Sequence, residues 1–288
     1  MALLYESETP FSLRARRFVE RNARRQLRAV QGSYLWSISR SQRRFHAFCV
    51  GGPKTGTHSF ADMFRRQYRA DHEPDTGAAV DAILAHSSGN MSASQFANFA
   101  VSYDRRVWLE MNSSLLNGFL VDPLVRRLPD AKFILTIRDC YSWADSFMDQ
   151  KINTVLAHMH PWRRLWRTVL RPPKLEFSDQ EALLRDRELF PLDGYFSYWA
   201  RHNTHVLSTV PSDRLLVLRT TEISNSLERI ADFVGVPVNS LNSEKTHSFK
   251  APKRHGTLKQ LNPDFVKKTA ERYCGELMDR FFPGIKGP

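Results

Sequence analysis

No stretch of the chain approaches the roughly 18 uninterrupted apolar residues of a membrane span. Cysteine is scarce: Cys49, Cys140 and Cys274 are odd in number, far apart and outside C-x-x-C spacing, which supports neither a disulfide framework nor a zinc site. The beginning, with Glu6 and Glu8 and no apolar run, is unlike a secretory signal, so residence in the cytoplasm is expected. Acidic residues are few. There are 30 Asp and Glu against 42 Lys and Arg in 288 residues, a net charge of +12 that calls for an anionic partner or a local explanation. No helix-turn-helix, zinc or RNP-type signature accompanies the charge, which argues against nucleic acid. What is present is enough apolar material, 42% with 11% aromatic, to bury a core, so the chain is globular rather than disordered.

The charge is concentrated. Residues 12–44 hold ten Arg and one Glu, and residues 159–174 hold four Arg and one Lys, leaving the remainder close to neutral. In the first segment Phe11, Ala15, Phe18, Ala23, Leu27 and Val30 recur at helical spacing. In the second, Trp162, Leu165, Trp166 and Val169 do so before Pro172 and Pro173. Such basic amphipathic helices suit an anionic membrane surface or a polyanionic acceptor. The alternative is an Arg-rich solvated face whose apolar side packs on the domain. The expected organisation is a basic extension over 1–44 and one α/β domain over 45–288; the oligomeric state is not readable.

From residue 45 the pattern alternates. Phe45–Val50 reads as a buried strand, 57–68 as a helix, 106–111 as a strand and 115–128 as a helix. Residues 131–137 form the clearest strand, with helix from Ser142 onward. A helical region over 179–209, a strand over 215–218 and a helix over 225–234 follow, and the last helix opens at Asn262-Pro263, an N-cap with Pro at the first position. Strands alternating with helices predict a central parallel sheet flanked by helices.

In such a sheet ligands sit where strands hand over to helices at their carboxyl ends. Gly51-Gly52-Pro53-Lys54-Thr55-Gly56-Thr57-His58 lies at such a point, with glycines that let backbone N–H groups curl round an anion. Lys54 precedes Gly56, whereas an ATP-binding Walker loop places its Lys after the last Gly, which argues against an ordinary ATPase or kinase. After the clearest strand come Arg138 and, eight residues on, Ser146; a cation at the strand tip and a hydroxyl on the adjoining helix can reach one phosphate.

Pro-Lys-Thr-Gly-Thr after the first strand with Arg-x7-Ser after a later one resembles the sulfotransferases that use 3′-phosphoadenosine 5′-phosphosulfate (PAPS). The resemblance covers about residues 45–283. It implies a P-loop NTPase-like sulfotransferase fold, with Pro53, Lys54, Thr55, Gly56, Thr57 and His58 on the 5′-phosphosulfate and Arg138 and Ser146 on the 3′-phosphate. It also implies that the basic loop Lys250-Ala-Pro-Lys253-Arg254-His255-Gly256, which lacks the usual Lys-Gly-Arg order, closes over the phosphates. Where cytosolic members carry a Trp that stacks on adenine, this chain has Ser59, and Phe60 is the expected substitute. Glu110 falls where the sulfuryl group would pass, although the Lys and Pro of that family segment are replaced by Met111 and Ser113.

The implied reaction moves a sulfuryl group from PAPS to a hydroxyl or amine of a carbohydrate, glycolipid or other small molecule. Lys54 is expected to neutralise the leaving oxygen, with Glu110 as first and His58 as second choice of base. His202 and His205, among Tyr195, Tyr198 and Trp199, read as packed structural histidines, and no metal site is expected. A membrane-associated nucleotide-binding module and an atypical P-loop kinase are the alternatives.

Overall fold

In the computed structural model, the residues described are 42–153, 161–170, 175–245 and 253–288. The amphipathic helix expected over 11–30 lies outside them, as do Lys250 and the rest of 246–252. The chain divides into two compact units between Gln42 and Arg43. Within the second unit its first residues, Arg43 and Arg44, form ion pairs to Asp104 and Glu110, both at 2.8 Å.

The second unit is built on five strands, β1 Ala47–Cys49, β2 Ala70–His72, β3 Met111–Ser113, β4 Lys132–Ile137 and β5 Leu215–Arg219. They pair in the order β2-β3-β1-β4-β5, all parallel. β1 is central, with Phe48 opposite Asn112 on one side and Phe133 on the other. A strand covered on both faces must be apolar throughout, and Ala47, Phe48 and Cys49 are fully buried. The connections are helical: α1 Thr57–Phe64, α2 Thr76–Ser87, α3 Ala93–Val107, α4 Val121–Arg127, α5 Cys140–Asn153, α6 Pro161–Leu170, α7 Ala182–Asp186, α8 Leu192–Thr209, α9 Leu227–Val234 and α10 Pro263–Phe281.

The strand expected over 106–111 lies elsewhere. Ser92 and Gln95 form a capping box that starts α3, Phe96, Ala100 and Tyr103 recur on its buried face, and the helix runs through Arg106 to a left-handed cap at Trp108. The sheet is rejoined only at Met111. β2, α2 and α3 have no counterpart in the sequence-based assignment, and α1 stops at Phe64, short of residue 68.

α6 resolves one reading of the basic helices. Its Leu165 and Leu170 are buried, Trp162 stacks on Trp166 at 5.9 Å, and Trp166 meets Phe147 edge-on at 4.9 Å. The apolar side is thus spent on the domain, leaving Arg163, Arg164 and Arg167 exposed.

Candidate active site

The loop from Gly51 to Thr57 leaves the middle of the sheet and is braced by every neighbouring strand tip. Gly51 is obligatory: a Cβ there would lie 2.0 Å from Thr136 Oγ1 and 2.5 Å from Thr55 Oγ1. The Thr55 hydroxyl bonds Gly52 O and Thr136 Oγ1, each at 2.8 Å. Trp143 on α5 donates to Pro53 O at 2.7 Å, and Thr220 after β5 donates to Thr55 O at 3.2 Å. On the other side Ser113, at the end of β3, donates to Thr57 O, and Thr57 Oγ1 lies 3.2 Å from His72 Nε2 at the end of β2. Lys54 and Gly56 both take left-handed backbone, φ 61° and 96°, so the loop curls before α1 begins. α1 starts at Thr57, directly after the loop, and a helix N-terminus in that place suits an anion.

Cations converge there. Burial pulls the Lys54 ammonium below its ordinary pKa; Arg138 lowers it further by repulsion, and Asp149 partly opposes this. Arg138, just past β4, is lowered by burial too, supported by Asp139 and repelled by Arg254. Like charges held together in a partly desolvated pocket are unfavourable until an anion joins them. Arg138 Nε donates to Ser142 Oγ at 2.8 Å, so its hydroxyl partner lies one helical turn before Ser146, which shares that face of α5. The basic loop is tied to the same helix: Asp149 accepts from His255 N at 2.9 Å, Asp145 from Leu258 N at 3.0 Å, and Asn153 donates to Lys253 O at 2.9 Å.

Asp149, Asp145, Asn153, Ser142 and Trp143 were not singled out from sequence. A hydroxyl in the first turn and two carboxylates four residues apart on one helix were the only signal available, and solvated helices share it.

Glu110 requires correction. It precedes β3 and so lies at the amino end of the sheet, opposite the Gly51–Thr57 loop. It is 1% exposed, accepting from Arg44 Nε at 2.8 Å, Arg44 N at 3.0 Å and Arg69 N at 2.8 Å. Burial pushes its carboxyl up, but Arg44 and the Arg69 backbone outweigh this and hold it below the ordinary value. A fully engaged anchoring carboxylate at the far edge cannot take an acceptor's proton. Phe60 is likewise unavailable to adenine, being wholly buried in the core with Met63 and Phe64.

His58, on the first turn of α1, lies within reach of the loop. Its Nδ1 lies 3.1 Å from Asp62 Oδ2, and its ring is 4.8 Å from that of His72. His202 is buried with Nε2 2.9 Å from Val50 O, and burial pushes it down to about 4, a neutral core histidine. His205 pairs with Asp122 at 2.7 Å. Among the described residues no group of three His, Cys, Asp or Glu is arranged for a metal ion, and no helix is long and apolar enough to cross a membrane.

Residues 46–249 match the model of the sulfotransferase domain family, and the chain belongs to that family. No curated protein matches the sequence. Among solved structures it is similar to the sulfotransferase from Alicyclobacillus acidocaldarius, at 15% identity and TM-score 0.45 over 82% of this chain and 95% of that one. It is similar to sulfotransferase STF9 from Mycobacterium avium at 13% identity and TM-score 0.47, covering 86% and 80% of the two chains. The third is mouse sulfotransferase SULT7A1 complexed with PAP, at 15% identity and TM-score 0.40 over 85% and 87%. The five-stranded parallel sheet flanked by helices is the α/β architecture over which the sulfotransferase domain match extends.

Proposed function

We propose that the protein is a PAPS-dependent sulfotransferase acting on a hydroxyl, or amine, of a carbohydrate, glycolipid or other small molecule. The convergence of Lys54, Arg138 and Arg254 on a loop that ends in a helix N-terminus carries the reading, because a multiply phosphorylated ligand relieves their mutual repulsion. The residues present fit such a ligand at both ends: the loop over Pro53–His58 for one phosphate, Arg138, Ser142, Ser146, Lys253 and Arg254 for the other. PAPS would supply an activated sulfuryl group on a phosphate leaving group.

The chain's own residues would do the rest. The Lys54 ammonium neutralises negative charge at the leaving oxygen, and the backbone N–H groups of Thr55–Thr57 hold the phosphate. His58 takes the acceptor's proton at Nε2, since Asp62 beside Nδ1 favours a proton on that nitrogen. Asp149 keeps both Lys54 and Arg138 charged. The same reading has the protein in the cytoplasm, with the exposed arginines of α6 available to an anionic membrane surface.

Calorimetric titration with adenosine 3′,5′-bisphosphate (PAP) and with ATP, followed by transfer of labelled sulfate from PAPS to an acceptor panel, tests this. Binding of PAP with ATP excluded, together with label in at least one acceptor, is expected. Preference for ATP would establish a kinase, and PAP binding with no transfer to any acceptor class would leave a binding module.

A further inference from the structure

β2 places His72 against the phosphate loop from a direction the sequence did not reveal. Its Nε2 lies 3.2 Å from Thr57 Oγ1 and 3.7 Å from Glu73 Oε1. A carboxylate facing a ring nitrogen favours a proton on it, so Nε2–H donates to Thr57 Oγ1. That choice settles the threonine. With its oxygen already accepting, the hydroxyl hydrogen turns elsewhere, and Thr57 stands at the first position of α1 where the loop presents its N–H groups. Were Nε2 bare, the hydroxyl would point at His72 and offer lone pairs to the loop's ligand, which for an anion is the wrong polarity. Also near His72 are the His58 ring, at 4.8 Å, and Asp71, whose carboxylate accepts from the His72 backbone N at 2.9 Å and is held by Arg65 at 2.8 Å. Glu73 itself sits in left-handed backbone at φ 54°, with its N–H on Ser113 O at 3.0 Å, so strain is accepted where this carboxylate is aimed.

We infer that His72 is a positioning residue that orients the Thr57 hydroxyl as a hydrogen-bond donor to the 5′-phosphate of the bound nucleotide. The inference rests on the PAPS reading and adds to it a residue outside both cofactor motifs. It predicts that His72 acts through Thr57 and through nothing else at the loop.

Calorimetric titration of PAP into the full-length chain tests it with the variants His72→Phe, His72→Gln, Thr57→Val and the His72→Phe/Thr57→Val pair. His72→Asn, too short to reach Thr57, replaces Phe if the aromatic ring is not accommodated. The expected outcome is about tenfold weaker binding for His72→Phe, the worth of one hydrogen bond to a charged group. Recovery to within about twofold is expected in His72→Gln, whose amide can donate in the same place. No further loss is expected from His72→Phe in the Thr57→Val background, with thermal stability of the ligand-free forms unchanged. Wild-type affinity in His72→Phe, or an equal additional loss in the Thr57→Val background, overturns the inference while the cofactor reading stands. Failure of the wild type to bind PAP overturns the cofactor reading itself.

Discussion

Lys54 works against the stability of the protein that carries it. Its ammonium is partly buried and faces Arg138, so Lys54→Met should raise the stability of the ligand-free protein, by up to about 1 kcal/mol, while abolishing sulfuryl transfer. Thermal denaturation alongside a transfer assay checks this; an active or destabilised variant would contradict the assignment. Glu110 predicts the reverse pattern. Glu110→Gln leaves Arg44 and Arg69 short of their partner and should cost about 1–3 kcal/mol, with turnover per folded molecule close to wild type. A large fall in turnover at unchanged stability would restore it to the chemistry. At this scale the sequence put Lys54 and Arg138 where the structure has them, on the segments that leave β1 and β4. It misled at Glu110, because a shift of a few residues in the strand moves a side chain from one end of the sheet to the other.

Among the elements, α5 does the most to assemble the site. One helix supplies Ser142 to Arg138, Trp143 to the Gly51–Thr57 loop, and Asp145, Asp149 and Asn153 to the basic loop. Asp149→Asn should therefore weaken PAP binding roughly tenfold, by loosening the His255 anchor and removing negative charge near Lys54 and Arg138. Calorimetry measures it, and unchanged affinity would show that the basic loop is held without Asp149. β4 was legible because six consecutive residues, five of them buried, read as one run. β2 was not, since Ala70-Asp71-His72 is three residues long, two of them polar, and its place is fixed by hydrogen-bonding to β3 rather than by any local pattern. α6 showed its periodicity plainly, but what its apolar side faces depends on α5 and α8, which contact it only in the folded chain.

For the molecule as a whole, buried titratable groups set a direction with pH. His202 is neutral down to about 4 when folded but has an ordinary value of 6.5, so the unfolded chain takes the proton first and stability falls as pH drops. Between pH 7 and pH 5 this alone should remove about 2 kcal/mol. Asp104 is pushed up by burial but held lower overall by His46 and Arg43, and Glu110 is likewise depressed, so their contributions persist above the ordinary carboxylate range and fade as pH falls through their folded values. Denaturant unfolding across pH 4 to 7.5 checks this. His202→Gln should flatten the upper part of the curve, and an equal slope in that variant would remove His202 from the account.

The parallel sheet also dictates when the protein can exist during synthesis. β1 is made early, yet its partners are residues 111–113 and 132–134, and the edge of β4 is covered only when 215–219 arrive. A ribosome adding about 5–20 residues per second leaves Phe48 and its neighbours waiting several seconds for β4. Until residue 219 has emerged, β4 presents an unpaired edge, so a nascent chain stalled before β5 is open to mispairing with another copy and is a natural client for chaperones.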